Sequence, residues 1–359
     1  MRTWLLLLVV VLGGCPDAPA PSPSDDDDAT DDDDDVDSWE RLRDAIDAAD
    51  LPDVTLLIGT ADGVAFSHSK GSSTAEQVYP LASASKWLSS ITALKLAEAG
   101  VLALEDAPQD HLDWWASDPT DGRRDITLEQ LLAFTSGFQG DMADVSCVED
   151  GGSTLDACAR EIHDTQFAFD PGTTFYYGPA HQQVAGAMAA AATGRRWNRL
   201  FREQIGDPLG LEPTTGFALP SLDNPRVAGG GTASANDYGT ILTALVGGAL
   251  LAQASVEVMS ADHTGDGVLL ASVPEAVSEG STWHYALGCW RECDGEEYTA
   301  ACDEPGVLSS PGLFGFYPWW DQARGFWGVL ATQVVDGAGR TVPLGQAWSE
   351  LAAEVLETR

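Results

Sequence analysis

The sequence predicts a mixed α/β fold of two lobes, a sheet flanked by terminal helices and a helical insert. Three observations predict it. Strand-like runs stand at both ends of the globular part, a long Ala- and Leu-rich stretch of helical periodicity separates them, and a segment of helical spacing closes each end. The sheet lobe is expected at about 39–80 and 268–359, the helical lobe at about 81–267.

The first element is a leader. Met1-Arg2 is a short positive start, and Trp4–Leu12 is an apolar run too short for a bilayer of about 30 Å. It has the length of a signal-peptide core. Leu12-Gly13-Gly14-Cys15 follows and resembles a bacterial lipobox. The expectation is that residues 1–14 are removed and Cys15 carries lipid, which places the chain in a bacterial cell envelope. Residues 15–38 come next, with 11 aspartates and no base. Such a tract repels itself and buries no apolar surface, so it reads as an extended tether. Homopolymeric Asp lacks the loop that would fix a calcium ion.

The globular part then opens with a helix at Trp39–Ala49, with Ser38 as its cap. Val54–Gly59 reads as a strand, Ala61-Asp62-Gly63 as a turn and Val64–Phe66 as the returning strand. Helical periodicity runs from about Ser83 to Leu251, broken by Pro/Gly/Asp loops. Strands return at Tyr285–Glu292, Leu313–Asp321 and Phe326–Val335, and Pro343–Leu356 closes as a helix with Trp348, Leu351 and Val355 on one face.

Charge narrows the function classes. The whole chain carries −38, and residues 39–359 alone hold 17 bases and 45 acids. No basic face is available for phosphates, so nucleic-acid binding is excluded. A hydrophobic fraction of 44% excludes global disorder. Five cysteines remain besides Cys15, so one thiol is left over. Cys147–Cys158 and Cys293–Cys302 would each close a polar loop, leaving Cys289 free. No Cys/His cluster has zinc spacing.

Ser83-Ala84-Ser85-Lys86 carries the chemistry. Three residues is nearly one helical turn, which sets an amine beside a hydroxyl. A serine at a helix start also lies near backbone N–H groups that favour a developing oxyanion. Ser67-His68-Ser69-Lys70 fits the same pattern but follows a strand and precedes Gly71, so it lacks helical register. Ser83 is therefore assigned as nucleophile and Lys86 as its base.

Tyr79–Lys86 resembles the nucleophile segment of the serine β-lactamase and penicillin-binding-protein-like family, in its class C and esterase-like branch. Further segments resemble that family in the same order: Gly100–Asp106, Ile126–Phe138 with Phe134 where His is usual, Pro171–Phe175, Asp207–Leu211 and Gly229–Asp237. The resemblance implies a β-lactamase/transpeptidase-like fold with an antiparallel sheet. It also implies an acyl-enzyme mechanism without metal or organic cofactor. Its Tyr-x-Asn motif reads Tyr177-Gly178-Pro179 here, which implies Tyr177 as the proton partner of Lys86 and puts Pro179 at the substrate. Such a role asks for a phenol pKa well below about 10, lowered by a nearby ammonium. The third motif falls on Ser310-Pro311-Gly312-Leu313, with Ser310 in place of Lys or His. By resemblance the N–H groups of Leu313 and Ser83 form the oxyanion hole, while Ser310 and Gly312 face the substrate.

Pro179 offers no side-chain hydrogen bond and Ser310 no charge for a substrate carboxylate. The expectation is a lipid-anchored hydrolase of a small ester or amide rather than of β-lactams. The alternatives are a non-hydrolytic envelope binder using the same cleft, or a D-Ala-D-Ala carboxypeptidase or β-lactamase. Arg195, Arg196, Arg199 and Arg202 read as ion pairs on an acidic surface, His181 as structural, and Asp262–Gly267 as a loop lacking the glutamate of a calcium site. Trp319 and Trp320 are expected to alternate between core and surface.

Overall fold

The computed structural model describes residues 39–358, apart from 116–117, 142, 266, 275–281, 294–297, 300–301 and 303. The leader, Cys15, the acidic tract, the expected cap Ser38 and Asp266 lie outside these residues.

Alternation in the first strand fixes the layering. Val54, Leu56 and Ile58 pack into one core and Leu57 into the other, and all four are buried. A strand apolar on both faces needs a layer on each side. In chain order the strands are β1 (Val54–Thr60), β2 (Gly63–Lys70), β3 (Val78–Pro80), β4 (Thr174–Tyr176), β5 (Gly216–Phe217), β6 (Gly231–Ser234), β7 (Leu269–Ser272), β8 (His284–Tyr285), β9 (Trp290–Glu292), β10 (Val307–Ser309), β11 (Tyr317–Asp321) and β12 (Phe326–Ala331). An antiparallel sheet runs β2-β1-β12-β11-β10-β9-β8. The chain closes it by setting β12 between β1 and β11. β3, β6 and β5 form a small second sheet, and β4 pairs with β7 in parallel.

Helices Glu40–Ala48 and Gly337–Leu356 cover one face, where Leu42, Ile46 and Trp348 pack with Leu56, Ile58 and Trp319. The helical lobe covers the other. Its centre is Ser85–Glu98, buried from Ser85 through Leu94 and again at Leu96, so it has no solvent stripe. Its buried hydroxyls find carbonyl acceptors: Ser89 donates to the Val227 carbonyl at 2.6 Å and Thr92 to the Leu88 carbonyl at 2.8 Å. Disulfides join Cys147 to Cys158 and Cys293 to Cys302, and Cys289 is a buried thiol.

Several elements differ from the sequence expectation. Tyr285–Glu292 is two short strands, β8 and β9, because the chain turns between them through Gly288 at φ 78°. The stretch expected as a strand from Leu313 stays a loop until Tyr317, and the strand expected to reach Val335 ends at Ala331. The last helix starts at Gly337 and contains Pro343, which loses one backbone hydrogen bond there. Trp319 and Trp320 are both buried, since each face of β11 is covered. The arginine cluster is ion-paired: Arg195 and Arg199 with Glu203, Arg196 with Asp223, Arg202 with Asp207.

Candidate active site

Ser83 lies in a single 3-10 turn, Ala82–Ala84, that runs directly into the helix Ser85–Glu98. Ala82 takes a positive φ of 44°, an uncommon conformation for a residue with a Cβ, and turns the chain sharply before the serine. The first amides of such a turn lack helical acceptors. The turn is tied down from several sides. The Gly231 N–H donates to Ser85 Oγ at 3.0 Å, and Ser310 Oγ donates to the Ser83 carbonyl at 2.9 Å.

The helical register does what the spacing predicts. Lys86 Nζ donates to Ser83 Oγ at 3.0 Å and to the Ala228 carbonyl at 3.0 Å. Lys86 is only 6% exposed. Among the described residues no carboxylate pairs with it, and burial brings its pKa from 10.5 down to about 7. The amine is thus a base near neutral pH. The other Ser-x-x-Lys copy lies on β2, where residues three apart face opposite sides. Lys70 Nζ there donates to the Ala49 carbonyl at 2.6 Å.

Tyr177 completes the group with a changed protonation. Its ring stacks on Trp290 with centroids 5.3 Å apart, and Lys86 Nζ lies 4.6 Å from its centroid. The phenol hydroxyl meets the side chains of Ser83 and Trp290. Burial outweighs those bonds and raises the phenol above its ordinary value, so the expectation of a lowered phenol pKa is corrected. Lys86 is the basic member and Tyr177 a neutral phenol.

His181 is neutral and structural. Its Nε2 donates to the Tyr176 carbonyl at 2.9 Å, its Nδ1 accepts from Ser136 Oγ at 2.8 Å, and burial lowers its pKa to about 3. Phe134, at the position where the resemblance expects His, stacks on this ring at 4.9 Å.

These groups open into one cleft of about 610 Å³ with Ser83, Lys86 and Tyr177 in its lining. Pro179, Leu219, Leu313 and Phe314 make much of the remaining wall apolar. Pro179 therefore faces the cleft as the resemblance implied. Ser310 and Gly312 do not: Ser310 is 2% exposed with its hydroxyl on the Ser83 backbone. A Cβ on Gly312 would stand 2.3 Å from the Leu81 carbonyl oxygen. Gly312 thus lets the loop lie against the segment bearing Ser83, rather than letting substrate approach. Gly288 does the same below, where a Cβ would stand 2.5 Å from the Lys86 carbonyl oxygen. Among the described residues no acceptor takes the Leu313 N–H, and its side chain is 60% exposed at the cleft edge.

Sequence reasoning missed three contributors. Trp290 forms the stacking wall, the Ala228 carbonyl anchors the amine, and Arg226 lines the cleft. The run Gly229-Gly230-Gly231 marked that loop, but no spacing pointed to the residues before it.

A family model, Beta-lactamase, matches residues 39–352. A curated relative, Protein flp of Staphylococcus aureus strain MW2, is 28% identical over 137 residues. That match covers 38% of this chain and only 28% of the relative's length. A β-lactamase candidate from Bacteroides dorei DSM 17855 superposes with a TM-score of 0.73 at 26% identity, covering 90% of this chain and 98% of the other. EstCE1, a hydrolase with promiscuous acyltransferase activity, shares the fold at a TM-score of 0.68 and 20% identity, over 89% of this chain and 97% of its own.

Proposed function

The chain belongs to the Beta-lactamase family, and from that premise we propose a serine hydrolase that forms an acyl-enzyme on Ser83 and acts on esters or small amides rather than on β-lactams. The observation that carries this reading is the 3.0 Å contact between Ser83 Oγ and a buried amine with a pKa of about 7.

With Lys86 neutral, one N–H stays on the Ala228 carbonyl and the lone pair accepts the Ser83 proton. The alkoxide attacks the carbonyl carbon, and the N–H groups of Ser83 and Leu313 receive the oxyanion. Collapse expels the alcohol or amine, which takes the proton from Lys86, with the Tyr177 hydroxyl relaying between them. Water then repeats the sequence on the acyl-enzyme and frees the acid. The cycle uses no metal or organic cofactor.

Preference for esters follows from the missing side chains. Pro179 brings no amide group and Ser310 no charge, so the subsite beside the β10 end holds a β-lactam carboxylate poorly. Cys15 is proposed as the lipid anchor that holds the mature domain at a bacterial envelope membrane through the acidic tether.

Turnover of a short-chain nitrophenyl ester, together with intact mass after a fluorophosphonate probe, tests the reading. The wild type should label and turn over, and Ser83→Ala should do neither, while Ser67→Ala behaves as wild type. Equal turnover by wild type and Ser83→Ala would remove the proposal. A wild type that neither labels nor turns over would instead favour a cleft used only for binding.

A further inference from the structure

Arg226 lines the cleft from a different loop than 310–313. Arg226 and Lys86 are the cations among the described cleft-lining residues, and Asp141 is the acid. Lys86 is committed to Ser83 and the Ala228 carbonyl. The guanidinium is only partly committed. Its Nη1 donates to Glu149 Oε1 at 2.8 Å, and Glu149 is 48% exposed, so this is a weak surface pair. Its Nε is buried and has no acceptor among the described residues. No described acceptor takes Nη2 either, so the Nε–Nη2 edge has no partner among the described residues.

That edge has the fork geometry that matches the two oxygens of a carboxylate. A buried donor without an acceptor is unfavourable, and an entering carboxylate would relieve it. Asp141 Oδ1 accepts from the Ala143 and Asp144 amides, which ties that carboxylate to its own loop. The backbone holds the arginine in place. Its N–H donates to the Leu219 carbonyl at 2.8 Å, and its carbonyl accepts from Gly229 and Gly230. Two residues later the same loop supplies the Ala228 carbonyl to Lys86.

We propose that Arg226 is a specificity-determining residue that binds a carboxylate on the substrate, so that the preferred substrate is a carboxylate-bearing ester or small amide. This rests on the acyl-enzyme reading of Ser83 and refines it. Anion recognition sits at the loop before Gly229, not at the strand end where Ser310 has no charge.

The test compares each anionic ester with a neutral partner of similar size. Mono-nitrophenyl glutarate against nitrophenyl butyrate puts the carboxylate on the acyl side; 4-acetoxybenzoate against its methyl ester puts it on the leaving side. For at least one pair, Arg226→Met should lower the anionic-to-neutral ratio of kcat/KM about 10- to 100-fold, the range for a hydrogen bond to a charged group. Arg226→Lys should restore part of it. Glu149→Gln, which removes the competing negative charge beside Nη1, should raise the ratio, and this variant keeps the test open if Arg226→Met folds poorly. Ratios unmoved by all three variants, in an enzyme that turns over the neutral esters, would overturn the arginine assignment alone. A wild type that hydrolyses none of the esters would instead overturn the reading of Ser83, and this inference with it.

Discussion

The amine of Lys86 makes the sharpest quantitative prediction. Its fall from 10.5 to about 7 amounts to about 5 kcal/mol of discrimination against the ammonium, at 1.36 kcal/mol per pH unit. At pH 7 about half the molecules carry the free base, and at pH 6 about a tenth do. The kcat/KM for a nitrophenyl ester should therefore rise through a single step near pH 7 and level off by about pH 8. His181 cannot mimic this step, because burial holds it near 3. Stability moves in the same direction for a separate reason. Between pH 7 and 10.5 the unfolded chain binds one proton at this lysine that the folded chain does not. Rising pH then stabilises the fold by about 1.4 kcal/mol per unit from this group, and below pH 7 that contribution is fully lost. Lys86→Met lacks the titration, so wild type should gain stability relative to it as pH climbs from 7 to 10. Rates measured from pH 5.5 to 9 and urea midpoints for both proteins check this. A flat rate profile, or midpoints that move in parallel, would refute the depressed amine.

Three further outcomes follow from the geometry. Tyr177→Phe keeps the stack on Trp290 but removes the hydroxyl facing Ser83, so kcat should drop about 100-fold or more with little change in melting temperature; a loss under threefold would take Tyr177 out of proton transfer. Gly312→Ala places a Cβ 2.3 Å from the Leu81 oxygen and should destabilise the fold by about 1–3 kcal/mol, read by denaturant melts, and lower turnover with it. Removing the Cys147–Cys158 bridge by paired serine substitutions should lower stability by about 3 kcal/mol, the loop-closure value for a short ring, seen as a lower urea midpoint.

The layering was legible because it depends on periodicity. Val54, Leu56 and Ile58 alternate with Leu57, and the strands fall at both ends as expected. The difference between the two Ser-x-x-Lys copies was legible too, since the residues around each specify helix or strand, and the same three-residue spacing converges in one and diverges in the other. Strand ends were not legible. Gly288 turns β8 into β9 because its backbone lies against the Lys86 carbonyl, a contact between residues 202 positions apart. The direction of the Tyr177 pKa was missed for a related reason. A neighbouring ammonium can be inferred from a motif, but the stack with Trp290 and the burial that outweighs it belong to tertiary packing. Arg226 has no motif at all, and only its place in the wall of the cleft singles it out.

The two departures at Pro179 and Ser310 make physical sense together. A cation at residue 310 would sit next to the Ser83 carbonyl and close to an amine that must stay neutral to work. Ser310 instead spends its hydroxyl on that carbonyl and turns the position into a brace for the Ser83 backbone. Pro179 adds apolar surface where an amide would have brought water. Neither change adds a charge to the cleft that holds Lys86, and burial is what lowers its pKa. Introducing charge with Ser310→Lys should therefore act on the base. A second ammonium nearby disfavours the first, so the step in kcat/KM should move below pH 7. Movement of the step in the opposite direction would show that hydration, brought in by the new side chain, outweighs charge repulsion at this site.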